Sequence, residues 1–175
     1  MESKKIALIG TSCVGKTTLL EELKRIYPQY VFINEVARDY FSNNKSKNRF
    51  SFKDQQNIQD LVMDREKEMK GNIVVCDRSV ICPIIYTNAD GDILGGKNLH
   101  SRVKEWIPTY SQLLLLDPVD VPYQKDSIRS EEKFFRMKVH KEYVAFLKDN
   151  NIQYTLIKGS WDQRLSQIKE IIQFI

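Results

Sequence analysis

Ile6-Ala-Leu-Ile-Gly10-Thr-Ser-Cys-Val-Gly15-Lys16-Thr17-Thr18 is the stretch on which the reading of this chain turns. Its first four residues are apolar without polar alternation, as in a strand buried on both faces. Gly10–Thr17 then satisfies GxxxxGK[ST] at every fixed position. A helical pattern follows over Thr17–Tyr27, with Leu19, Leu20, Leu23 and Ile26 on one face. Strand, glycine-bearing turn and helix in that order form a phosphate-binding loop. The glycines let the backbone curl so that its N–H groups face a phosphate, and the helix N-terminus adds its positive end. Gly10, Ser12, Cys13, Val14, Gly15, Lys16, Thr17 and Thr18 are therefore the expected nucleotide-binding residues. Lys16 reaches the β- and γ-phosphates, and Thr17 offers a hydroxyl to Mg²⁺.

Outward from this loop, further apolar runs occur at Tyr30–Ile33, Ile73–Cys76, Leu113–Leu116 and Tyr154–Ile157. Helical patterns separate them at Lys53–Lys70, Glu132–Asn150 and Asp162–Phe174. Strand and helix in alternation predict an α/β three-layer sandwich: a five-stranded parallel sheet with helices on both faces, in one domain spanning residues 1–175. Phe41–Phe52 and Thr87–His100 break the pattern, the second through Asp90-Gly-Asp92 and Gly95-Gly96, and both are expected to be loops. Ligands in such folds bind outside the carboxyl ends of the strands.

Charged residues gather at those ends. Glu35, after the second strand, is the candidate base for an attacking hydroxyl, with an ordinary helix-capping carboxylate as the alternative. Arg38, one helical turn on, would bind an acceptor or pair with Glu35. Asp77 and Arg78 end the third strand, where the carboxylate can assist Mg²⁺ or hold a sugar hydroxyl and the arginine can reach an acceptor. Asp117 precedes Pro118 and is expected to fix a turn. A lid segment is expected at about 122–136, with Arg129 neutralising charge on the transferring phosphoryl group and Arg136 second to it. Trp161, in the turn after the last strand, would stack on a base or plug the core, and the core reading is slightly favoured.

The chain of 175 residues is 42% hydrophobic and 29% charged, with a formal net charge of +4, an ordinary globular composition. That modest charge comes with no basic arm or zinc pattern, so a small-molecule acceptor is favoured over nucleic acid as ATP's partner. Cys13, Cys76 and Cys82 form no CxxC pair, and an odd count argues for reduced thiols in a cytoplasmic setting. No apolar stretch approaches the roughly 20 residues needed to cross a bilayer.

On GTSCVGKTTL, NEVARDYF, CDRS, LLLLDP, DSIR and GSWDQR, the chain resembles the P-loop nucleoside and nucleotide kinase group, most closely the ribosylnicotinamide-kinase-like domains of the NadR type. The resemblance implies ATP- and Mg²⁺-dependent phosphate transfer, with an acceptor site between the second and third strands. Under it Glu35 meets the acceptor hydroxyl, Asp77 and Arg78 lie near sugar or metal, and Arg129 sits in the lid. NadR-type proteins usually carry an adenylyltransferase domain ahead of the kinase, for which this sequence has no room. The alternatives to a small-molecule kinase are a nucleotide-dependent switch and a kinase acting on a nucleic-acid hydroxyl or 5′ end.

Overall fold

Five strands make one all-parallel sheet in the order β2-β3-β1-β4-β5: β1 (Lys4–Ile9), β2 (Val31–Ile33), β3 (Ile73–Asp77), β4 (Tyr110–Leu116) and β5 (Thr155–Ile157). The structure is a computed structural model that describes residues 3–44, 51–119, 121 and 133–175. Among the described residues seven α-helices lie between and after the strands, α1 (Lys16–Ile26), α2 (Val36–Asn43), α3 (Phe52–Glu68), α4 (Ile81–Asp90), α5 (Ile93–Val103), α6 (Lys133–Asp149) and α7 (Trp161–Gln173), with a 3₁₀ turn at Ile107–Thr109 before β4. The expected five-stranded parallel sheet is the observed one.

Alternate side chains of each strand point to opposite faces, and here both faces are apolar. Ala7, Ile9, Val74, Cys76, Leu113 and Leu115 join the core beneath α3, α4, α5 and α6. Ile6, Leu8, Val75, Leu114, Leu116 and Ile157 join a second core formed with Leu19, Leu20 and Leu23 of α1 and Ile168 and Ile172 of α7. Two-sided burial explains the unbroken apolar runs of the central strands β1, β3 and β4, whereas the edge strands β2 and β5 are only partly covered. β4 begins three residues before its apolar run, at Tyr110: the exposed Ser111 and the half-buried Gln112 interrupt the hydrophobicity, and the register with β1 shifts past Ser111, pairing Lys5 with Tyr110 and Ile6 with Gln112.

The expected loop at Thr87–His100 is not one; it holds the end of α4 and most of α5. Three residues obscured these helices. Pro83 sits in the first turn of α4, where its missing N–H breaks no helical bond. Gly91 closes α4 in the left-handed region at φ 105°. Gly96 lies within α5 against α4, where a Cβ would overlap Asn88 Oδ1. α4 is buried along nearly its whole length, from Ile81 to Thr87, so it shows no polar face from which a helical period can be read. The other expected loop, at Phe41–Phe52, is shorter: α2 runs to Asn43 and α3 starts at Phe52 behind the N-cap Ser51, with residues 45–50 outside the described set. Residues 122–132 of the expected lid, including Arg129, also lie outside it; residues 133–136 form the first turn of α6.

The sheet's amino end is tied by a buried carboxylate. Glu66 accepts from Lys5 Nζ at 2.8 Å, Trp106 Nε1 at 2.8 Å and Tyr110 Oη at 2.5 Å. Burial, together with the charge of Glu66, pushes the Tyr110 phenol well above its ordinary pKa. At the opposite end the registers align Leu8 with both Asp77 and Leu114, Ile33 with Cys76, and Leu116 with Ile157. The residues that follow each strand therefore form a single row along the carboxyl edge.

Candidate active site

In the loop between β1 and α1, Gly15 (φ 85°) is the N-cap and Cys13 also turns left-handed at φ 55°. Lys16, only 4% exposed, folds across the loop and donates from Nζ to the Thr11 carbonyl at 2.5 Å. Thr17, the second residue of α1, points toward β3 and donates from Oγ1 to Asp77 Oδ2 at 2.7 Å. The other carboxylate oxygen, Asp77 Oδ1, is buried and accepts no hydrogen bond among the described residues. A buried carboxylate oxygen without a donor is costly, and this one belongs to the carboxylate that holds the Thr17 hydroxyl beside the phosphate loop. Oxygen donors of this kind, few in number and completed by water and phosphate, suit Mg²⁺.

Beside this pair the chain makes a strained turn. Arg78 adopts φ 87°, a region that non-glycine residues avoid, and its N–H donates to Leu8 O at 3.0 Å, extending the β1–β3 ladder by one bond. The turn carries its side chain toward β2, where Arg78 Nε donates to Glu35 Oε1 at 2.7 Å, with the two side chains 8% and 5% exposed. Tyr86 of α4 lies under the guanidinium, 5.4 Å from its ring centroid. Burial opposes the arginine's charge, but Glu35 and then Tyr86 outweigh it and raise the Arg78 pKa well above the ordinary value.

Glu35 occupies the N-cap position of α2, yet its side chain makes no capping hydrogen bond. The capping alternative is thereby corrected. Arg38 is 40% exposed at the side chain, with Nε 3.9 Å from Glu35 Oε2. Asp77 and Arg78 do not pair with each other: the first turns to the phosphate loop and the second to Glu35, so the strand end divides its two charges between two neighbouring sites.

Arg136, the second lid candidate after Arg129, is 3% exposed and donates from Nη2 to the carbonyls of Pro118 at 3.0 Å and Val121 at 3.1 Å. Trp161 is not a core plug but is 40% exposed, at the first position of α7. Asp117 does fix a turn, its Oδ1 accepting from Val119 N at 2.9 Å. The residue missed altogether is Arg164, 2% exposed, whose guanidinium donates to the carbonyls of Gly159, Val14 and Asp117 at 2.7, 3.2 and 2.8 Å. Its signal was present: Arg164 shares the i, i+4, i+8 stripe of α7 with the core residues Ile168 and Ile172.

Fold, phosphate loop and strand-end charges define a P-loop phosphotransferase of the nucleotide-kinase class. A family model described as an AAA domain matches residues 5–164, and the chain belongs to that family. Thymidylate kinase of Helicobacter hepaticus is 24% identical over 193 residues, covering 97% of this chain and 98% of that protein. Among solved structures, NadR protein in complex with NR superposes with a TM-score of 0.81 at 21% identity, and NadR in complex with NAD and AMP-PNP with 0.80 at 19%. Each match covers 99% of this chain but only 52% and 49% of the NadR chains, so this sequence spans about half their length. Deoxyadenosine kinase from M. mycoides, with products dCMP and dCDP bound, gives 0.69 at 14% identity over 97% of this chain and 98% of its own. At these identities the structural likenesses establish the fold. No helix among the described residues is long and apolar enough to cross a membrane.

Proposed function

We propose that this protein is an ATP- and Mg²⁺-dependent small-molecule kinase that transfers the γ-phosphate to a nucleoside, nucleotide or related hydroxyl, in the manner of a ribosylnicotinamide-kinase-like enzyme. The observation that carries the reading is the split at the end of β3, where Asp77 serves the phosphate loop through Thr17 and Arg78 serves Glu35 one strand away. This split supports the reading, because transfer between two bound molecules requires a donor-phosphate site and a second polar site side by side.

In this reading Gly10, Ser12, Cys13, Val14, Gly15 and Thr18 cradle the phosphates, and Lys16 leaves the Thr11 carbonyl for the β- and γ-phosphates. Thr17, and Asp77 through water, would hold Mg²⁺, which supplies charge neutralisation on the phosphate oxygens. Arg78 holds Glu35 in a fixed orientation so that the carboxylate can accept the proton of the acceptor hydroxyl. Arg38, next to Glu35 and open to solvent, helps seat the acceptor, and Arg129 is assigned to the transferring phosphoryl group.

The test is ADP release from ATP and Mg²⁺ across nucleosides including nicotinamide riboside, nucleoside monophosphates and short oligonucleotides, with Lys16→Ala as control. Stimulation by a nucleoside, lost in Lys16→Ala, is the expected outcome. A flat panel with residual hydrolysis that still depends on Lys16 would point to a nucleotide-driven switch and overturn the kinase reading.

A further inference from the structure

The γ-phosphate end of the nucleotide site is marked by Lys16, Thr17 and Asp77, on the β3 side of the phosphate loop. On the nucleotide-binding reading, the base lies away from that end, toward the carboxyl ends of β4 and β5. Two turns border that space: Asp117–Val119 after β4 and Lys158–Trp161 after β5. They are joined by a backbone bond from Asp117 N to Ile157 O at 2.9 Å. Trp161 stands at the rim of the second turn with its ring partly open to solvent.

Arg164 reaches all three loops around this space. Its Nε donates to Gly159 O, Nη1 to Val14 O inside the phosphate loop, and Nη2 to Asp117 O at the end of β4. Charge-assisted bonds to three separate segments lock their spacing, and the planar fork that spans them has no equivalent in an ammonium group. The β5–α7 turn is fixed from its other side as well. Ser160 and Gln163 form a reciprocal capping box, and Gly159 sits at φ 97° where an added Cβ would overlap Gln163 Oε1.

We propose that Arg164 is a positioning residue for the nucleotide base: one guanidinium sets the phosphate loop, the β4 end and the β5–α7 turn in a single register, so that ATP affinity and base selectivity depend on it together. The inference rests on the nucleotide-binding reading above but not on the identity of the acceptor. Its signature is a change in discrimination between bases, which loss of general stability does not produce.

Calorimetric titration of ATP, GTP and inorganic tripolyphosphate into wild type, Arg164→Lys and Gly159→Ala separates the possibilities, with Lys16→Ala as an independent check on the phosphate loop. Arg164→Lys is expected to weaken ATP by about tenfold or more. It should also move the ATP-to-GTP affinity ratio by about fivefold, with a smaller loss for tripolyphosphate, which has no base. Gly159→Ala should shift the same ratio while Arg164 is intact, which keeps the test decisive if the arginine variant does not fold. Equal losses for ATP and tripolyphosphate at an unchanged ratio would confine Arg164 to the phosphate loop and overturn the proposal. So would a lower melting temperature with wild-type affinities, or a wild type that does not discriminate between the two bases. Wild type that binds neither nucleotide nor tripolyphosphate would instead refute the nucleotide site itself, and this inference with it.

Discussion

Replacing Glu35 with alanine leaves the Arg78 guanidinium buried without its 2.7 Å partner, and the cost can be worked out from the surroundings. Loss of one member of a buried ion pair typically destabilises by about 3–5 kcal/mol. Arg78 keeps a contact of its Nη1 with Tyr86 Oη at 3.5 Å. That contact favours the lower end, about 3 kcal/mol, or roughly 6–12 °C in melting temperature for a chain of this size. Arg78→Met should cost a similar amount, because it strands the carboxylate. The double variant removes both charges and should lose far less than the sum, with a coupling of about 2 kcal/mol or more. Urea unfolding of the four proteins, extrapolated linearly to water, measures this directly. Losses that add to within about 0.5 kcal/mol would refute the claim that the two residues act as a pair.

Three other outcomes are expected. Asp77→Asn keeps the shape and the Thr17 contact but removes the charge, so the Mg²⁺ concentration for half-maximal turnover should rise by about tenfold or more; an unchanged Mg²⁺ titration would remove Asp77 from the metal site. His140 has its pKa lowered by burial, with Asp117 acting upward and Arg136 downward. The unfolded chain therefore binds more protons between that lowered value and the ordinary 6.5, so stability rises with pH across that interval and is lost on acidification. Denaturant midpoints of wild type and His140→Phe should diverge toward wild-type weakness as pH falls below 6.5, and parallel curves would contradict the assignment. Glu66→Gln, at the far end of the sheet, should destabilise by about 2–3 kcal/mol through the loss of its ion pair with Lys5 while the KM for ATP stays unchanged; a shifted KM would show that the two ends communicate.

How much of this was legible in the sequence depends on where the information lies. The phosphate loop is local: spacing, strand and helix all fall within Lys4–Ile26, and they were read correctly. The central strands β1, β3 and β4 were found by hydrophobicity alone because both of their faces are covered. α4 was missed because tertiary burial on every side removes the amphipathic period that sequence inspection depends on. The long-range polar bonds were missed for a different reason, since nothing near Arg164 in the sequence reveals the carbonyls of Val14 or Asp117. Glu66 and Arg164 nevertheless left the same trace. Each is a charged residue on a stripe of core residues: Glu66 with Ile58 and Val62, and Arg164 with Ile168 and Ile172. A charge at such a position has to find partners inside the fold, and that requirement is readable from spacing even when the partners are not.

The most direct test of the central claim follows the phosphoryl group itself. ATP labelled at the γ-phosphate, incubated in single turnover with enzyme, Mg²⁺ and the acceptor that best stimulates ADP release, should deliver its label to the acceptor. Glu35→Gln should retain ATP binding while that transfer is lost. Label recovered only as inorganic phosphate, at the same rate with and without acceptor, would contradict phosphoryl transfer as the function of this site.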